Sequence, residues 1–402
     1  MLKVLKGPLG FIAISVFLTI MGFTIVIPVL PFIISKYVPN NQVGLWVGII
    51  VSVYALCQFF AAPVLGAVSD RIGRKPVLIL CLAGSVIGYI IFGIGGALWI
   101  LFIGRIIDGL TGGDISTMFA YVADVTKPEE RGKSFGILGA AAGFGAMAGP
   151  VIGGFVGQIS ITAPLFVGAG VVLLSVIWGL FYLPESLPKE KRSSHFYLKH
   201  LNPFAPFKHI FVSRKLVIMF ATSFLFFCAG AMMQANISVF LKDLLAFGPG
   251  SIGIVVLILG IVDISSQGYL TGKLLPKFGE KRLVEIGLAI NAVGFFLLAV
   301  LAFVPSIVLL FIAIVVFNIG DGLFQPSSNG IISNAAPAGM QGQVQGASQG
   351  IQSMARVIGP LLSAFLYVLG ASLPYFVGCS IILVGFFIFL LLFRNFSYTA
   401  AV

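Results

Sequence analysis

The sequence predicts an all-α integral membrane protein whose twelve transmembrane helices form two pseudo-symmetric six-helix bundles. Three observations carry that prediction. Apolar residues make up 59% of the 402 residues and charged residues only 9%, with mean hydropathy +1.10, more hydrocarbon than a water-soluble fold can bury. Windows of about 20 apolar residues recur along the chain, the length that crosses a bilayer core as a helix. Finally, the chain repeats itself: Gly149-Pro150 returns as Gly359-Pro360, Gly132 and Gly136 as Gly342 and Gly346, and Asp124 as Asn334, all at an offset of 210 residues.

The spans fall near 9–35, 43–68, 76–97, 99–124, 132–158, 163–183, 216–240, 250–275, 282–303, 307–335, 342–369 and 373–394. They give an N-terminal bundle over 1–183, a cytoplasmic linker over 184–215 and a C-terminal bundle over 216–402. A net charge of +11 suggests nucleic acid in a soluble protein, but here it is a topology signal. Of the 24 Lys and Arg, only Lys36 and Lys242 fall in outer loops and only Arg105 and Arg356 within helices. The remainder lie on one side, so both termini are expected on the cytoplasmic side of a plasma membrane. Lys3 and Lys6 ahead of an apolar run resemble a signal peptide, yet the run continues to Pro28 and Pro31, too far for a signal core. Cys57, Cys81, Cys228 and Cys379 all fall inside spans without ligand spacing, which predicts packing residues and neither disulfides nor a metal site.

In the first span Gly22, Pro28 and Pro31 predict a broken or kinked helix, tolerable only where protein or a cavity accepts the freed carbonyls. The second ends in a knot of charge, Gly66 to Pro76, whose acid and paired glycines exceed what an orientation signal needs. The fourth carries Arg105, Asp108 and Asp114 at depths where lipid excludes charge. A short basic turn, Lys127 to Lys133, leads to the fifth. There Gly145, Gly149, Gly153 and Gly154 allow close helix approach, and Pro150 bends the helix. The linker holds all three histidines, His195, His200 and His209, none at membrane depth. Its NPFAPFKHIF stretch reads as an inner-headgroup surface segment or simply a tether between halves.

Gly66-x-x-x-Asp70-Arg71-x-Gly73-Arg74-Lys75 resembles the loop 2–3 signature of the major facilitator superfamily. A degenerate echo lies at Gly272 to Lys281, where Pro276 replaces the acid. The spacing from Gly136 to Gly154 resembles the helix 5 signature of that family's proton-coupled drug exporters, and Arg105 in GRIIDGLTGG matches their helix 4 signature. Much of 20–155 is similar to the twelve-helix tetracycline/proton antiporter branch. The resemblance implies gating by Gly66, Asp70, Arg71, Gly73, Arg74 and Asp124, with the charged members locking one face. It also exposes departures: that branch's helix 1 acid is Thr19 here, its helix 3 acid Gly88, its helix 9 acid Asn291 and its helix 8 histidine Asp263. Tetracycline is therefore not the expected principal substrate.

A charge at the bilayer centre costs about 2.5–3.5 kcal/mol on insertion scales, so Asp108, Asp114, Asp263 and Asp321 are functional candidates, against a reading as neutral or paired structural carboxyls. Asp108 shares a helix face with Arg105, three residues earlier, and can pair with it. Asp114, nine residues after Arg105, is half a turn out of phase and must be neutralised or paired elsewhere. Asp321 and Arg356 both lie near mid-depth on adjacent spans, where an ion pair is expected. A carboxyl exposed alternately to two aqueous sides takes up a proton outside and releases it inside. Each proton crossing 100 mV supplies about 2.3 kcal/mol. Asp114, then Asp321 and Asp263, are the coupling candidates, with Asp108, Arg105 and Arg356 around them.

Tyr54, Gln58, Gln234, Asn236, Asn318, Gln325, Asn329, Gln349 and Gln352 are candidates to line a cavity for lipophilic, often cationic, compounds. The expected function is proton-coupled efflux by alternating access. The alternatives are proton-coupled uptake or facilitated diffusion of a metabolite and, in another class, a non-transporting receptor or lipid-handling scaffold. No P-loop and no nucleophile–base constellation stands out, so neither an enzyme nor a cofactor is expected. The expected partners are the small molecule, protons and the lipid bilayer, without nucleic acid, for a monomer.

Overall fold

The computed structural model describes residues 8–127, 130–192, 204, 213–337 and 340–393. The three histidines and most of the 184–215 linker therefore lie outside the described residues. Among those described, the elements are helices and turns, without a strand. Fourteen α-helices run α1 Pro8–Thr24, α2 Leu30–Ile34, α3 Val43–Ile72, α4 Arg74–Ile94, α5 Leu98–Leu110, α6 Asp114–Val125, α7 Arg131–Ile159, α8 Ala163–Tyr182, α9 Arg214–Leu245, α10 Pro249–Ser265, α11 Thr271–Leu301, α12 Ile307–Ala335, α13 Gln341–Leu369 and α14 Leu373–Phe393.

Nine stretches among the described residues are long and apolar enough to cross a membrane, against the twelve spans read from the sequence. The difference has three local causes. The first expected span breaks after Thr24, because Pro28 has no N–H for a helical bond and Pro31 opens the short α2. Thr24 Oγ1 marks the break by donating to Ile20 O at 2.9 Å. The fourth span breaks at Thr111–Gly113 into α5 and α6, each too short alone. The eighth and ninth join through a π-helical turn, Ser266–Leu270, into one stretch, Pro249–Leu301, interrupted only where Gly279 takes φ 73°. The expected loop at 276–281 is thus a kink.

The chain divides into two compact units. One comprises Met1–Val43, Val53–Pro203 and Phe247–Leu257, the other Gly44–Ser52, Phe204–Ala246 and Ile258–Val402. In the first, Leu78, Leu82, Tyr89, Met118, Tyr121, Leu138 and Val172 form a core joining α4, α6, α7 and α8. There α7 lies on α1 with backbone against backbone. A Cβ at Gly145 would stand 2.5 Å from Phe17 O and one at Gly149 2.6 Å from Met21 O, so only glycine permits this approach. In the second unit α9 meets α13 with one glycine at the crossing, Gly359 against Cys228 O, and then a polar contact. Asn236 donates through Nδ2 to Ser363 Oγ at 2.6 Å, and Ser363 donates to Met232 O at 3.0 Å.

Candidate functional site

Chemistry-bearing side chains gather at three places. The first is the turn between α3 and α4. Gly73 ends α3 with φ +113° and ψ 159°, a backbone region reserved for glycine, and α4 starts at the next residue. Arg74 then reaches Asp70 Oδ1 at 2.6 Å and, through Nε, Asp124 Oδ2 at 3.1 Å, while Nη1 donates to Ser69 Oγ at 2.6 Å. Sequence reasoning missed Glu185. Its carboxylate accepts from Arg74 N at 2.8 Å and Lys75 N at 3.2 Å, satisfying orphan donors of α4 with a charge matched to the helix dipole. A side chain at Gly73 would run into the same carboxylate. Arg71 is exposed, and Gly66 has open space around it.

The second place is the broken fourth span. Arg105 and Asp108 are 6% and 2% exposed and pair through Nη1 and Oδ2 at 3.4 Å. The guanidinium also lies 4.9 Å from the ring centre of Phe92 and 5.7 Å from that of Tyr54, a cation–π setting that the sequence did not reveal for Phe92. Asp114 has a different solution from the one its phase suggested. The chain is not helical between Leu110 and Asp114, so no continuous helical phase relates Asp114 to Arg105. Instead Asp114 is the first residue of α6 and 4% exposed. Free N–H groups and the positive end of a helix replace a cationic partner there. Gln58 holds the break open by donating to Gly112 O at 3.1 Å and to Tyr54 Oη at 3.3 Å.

The third place lies in the second unit. Asp263 on α10 and Asp321 on α12 lie close enough for their side chains to act on each other. Each is also held by a glutamine four residues on. Gln267 Nε2 donates to both oxygens of Asp263 at 3.0 and 2.9 Å, and Gln325 Nε2 to Asp321 Oδ2 at 2.6 Å. Gln267 belongs to the π-helical turn, a distortion found often at functional positions. Asp321 thus has a second carboxyl and an amide beside it, and Arg356 is exposed on α13. The missed signal was the i, i+4 spacing of Asp263 with Gln267 and of Asp321 with Gln325.

The remaining cavity candidates divide. Gln234, Asn329 and Gln349 are exposed and Gln352 partly so. Asn236 is fully buried in the α9–α13 contact, and Asn318, 6% exposed, donates to Ile314 O of its own helix at 2.8 Å. Gly153 and Gly154 are buried like Gly145, Gly149 and Pro150, and all lie on α7.

Comparison with known proteins finds relatives along most of the chain. A family model described as Major Facilitator Superfamily matches residues 12–360. Tetracycline resistance protein, class C, of Escherichia coli is 34% identical over 382 residues, 92% of this chain and 93% of the relative. Multidrug resistance protein 2 of Bacillus subtilis (strain 168) is 29% identical over 382 residues, 92% of this chain and 91% of the relative. Among solved structures, a nucleoside transporter aligns with TM-score 0.76 at 16% identity over 98% of this chain and 100% of its own. A human organic anion transporter aligns with TM-score 0.71 at 21% identity over 95% and 98%.

Proposed function

The chain belongs to the major facilitator superfamily, and from that premise we propose that it exports small lipophilic or cationic compounds in exchange for protons by alternating access. The multi-pass chain then has twelve crossings in two six-helix bundles, 1–183 and 216–402, joined by 184–215. Both termini face the cytoplasm, and the protein works as a monomer in the plasma membrane.

The observation that carries this reading is the Asp263–Asp321 contact. Two carboxyls that interact this directly favour holding a proton between them, because two charged carboxylates side by side repel. A pair reached from outside binds a proton, and opening toward the cytoplasm returns it there, one proton in for each release step. The carboxyl of Asp114, at the positive end of α6, is the second coupling candidate, and Asp108 with Arg105 is the buried charge pair on α5. Arg74 with Asp70 and Asp124 acts as the gating clasp. Gly145, Gly149 and Gly153 form the face of α7 toward α1 along which the cycle moves, and Pro150 and Gly154 its face toward α10. The names of the relatives support a drug as cargo. Thr19, Gly88, Asn291 and Asp263, which stand where the tetracycline branch has its own residues, argue against tetracycline as the principal one.

The test is export of a panel of lipophilic dyes and cationic drugs from cells overproducing the protein, with and without a protonophore. Export that collapses with the proton gradient is expected. Export indifferent to the gradient, or solute flow in the direction of the protons, overturns the reading.

A further inference from the structure

Two helices change unit partway along. The outer segment of α3, Gly44–Ser52, belongs to the second unit, and the start of α10, within Phe247–Leu257, belongs to the first. Each reaches its host by the same device. A Cβ at Gly48 would stand 2.6 Å from Pro360 O and from Ala364 Cβ, and a Cβ at Gly253 would meet Pro150 O and lie 3.3 Å from Gly154 Cα. Pro150 and Gly154 stand 210 residues before Pro360 and Ala364, so the crossings are repeats of one design, a glycine seated on a prolyl carbonyl.

One turn further on, the two designs part. The residue 210 positions before Tyr367 is Gly157, so only the α3–α13 crossing has a ring there. That ring fills the seat left by Gly44, where a Cβ would approach it to 2.5 Å. Its phenol Oη donates to Asp243 Oδ2, in the last turn of α9, at 3.0 Å. Gly44 and Val47 on α3 are buried, Val47 at 1% exposure, whereas Asp243 is exposed. Tyr367 therefore joins the ends of α3, α9 and α13 through one ring and one hydrogen bond.

We propose that Tyr367 is a one-sided latch: its ring in the Gly44 seat and its bond to Asp243 keep the outer segment of α3 on α13, and transport includes its release. The inference rests on the alternating-access reading above, because a latch matters only if the joint opens. Removing the hydroxyl weakens the closed joint by the net worth of one hydrogen bond, about 2- to 10-fold in population. The joint opens in the full-length protein when a cysteine at Val47→Cys reacts with a maleimide, in a background whose four native cysteines are alanine and which still exports drug. Tyr367→Phe and Asp243→Ala should each speed labelling about 2- to 10-fold, and the double variant no more than either alone, because they remove the same bond. Gly44→Ala, which displaces the ring, should speed it as well. An unchanged rate in Tyr367→Phe, or additive effects in the double variant, overturns the latch. Labelling is read on purified protein without a gradient, so it decides the latch even if protonophore-insensitive export overturns the transport reading.

Discussion

A carboxyl inside a helix bundle persists only if something neutralises it, and the four acids at membrane depth are neutralised in three ways, with different consequences for substitution. Asp108 faces a buried guanidinium, so Asp108→Asn leaves Arg105 buried without a charge partner, a loss of about 3–5 kcal/mol. Thermal melting of purified protein should show a marked drop in Tm for that variant and partial recovery in Arg105→Gln/Asp108→Asn, which removes both charges. Asp321 has no such hostage. Asp321→Asn preserves shape and a hydrogen-bonding group beside Gln325, so Tm should move little while protonophore-sensitive export is lost. Unchanged export would remove Asp321 from the coupling pathway. The acids themselves were plain in the sequence, because charge in an apolar run announces itself. Their partners were not: Gln267 and Gln325 are neutral, and only the three-dimensional crossing of α10 and α12 reveals that the two acids meet.

At the scale of elements, helix interruptions were legible where proline made them and hidden where glycine or geometry did. Pro28 and Pro31 forecast the break between α1 and α2, since proline withdraws a donor wherever it stands. Gly112-Gly113 makes an equal break, yet glycine is tolerated inside membrane helices, and its effect depends on Gln58 accepting the work of the freed Gly112 carbonyl. The π-helical turn at Ser266–Leu270 has no composition signal at all. Gly73 is the clearest element boundary, with φ +113° and its Cβ position occupied by the Glu185 carboxylate. Gly73→Ala should lose about 1–3 kcal/mol from backbone strain alone. Circular-dichroism melting should register it as a lower Tm, with helix content at low temperature retained. Removing the capping carboxylate as well, in Gly73→Ala/Glu185→Ala, relieves the collision but not the strain, so recovery should be incomplete.

At the scale of the whole chain, the internal repeat gives both halves the same helix crossing with different surfaces. In the first unit α7 meets α1 glycine against carbonyl, and a Cβ at Gly153 would collide with Ile25 O. The residue 210 positions on is Ser363, whose hydroxyl side chain is locked between Asn236 and Met232 O. A glycine surface offers no directional contact and permits sliding, whereas a buried amide–hydroxyl network has one satisfied arrangement and resists displacement. The sequence revealed the repeat through Gly149-Pro150 and Gly359-Pro360, but the replacement of Gly153 by Ser363 gains its meaning only once Asn236 is seen opposite. The two crossings should therefore respond differently to exchange of their residues. Gly153→Ser forces α7 away from α1 and should abolish export in cells that still make the protein at the normal level. Ser363→Gly strips two hydrogen bonds from a buried site, so Tm should fall by an amount corresponding to about 1–3 kcal/mol, with export by the surviving folded protein retained. If Ser363→Gly stops export at full stability, the C-terminal crossing is the one that moves, and the assignment of motion to α1 and α7 must be reversed.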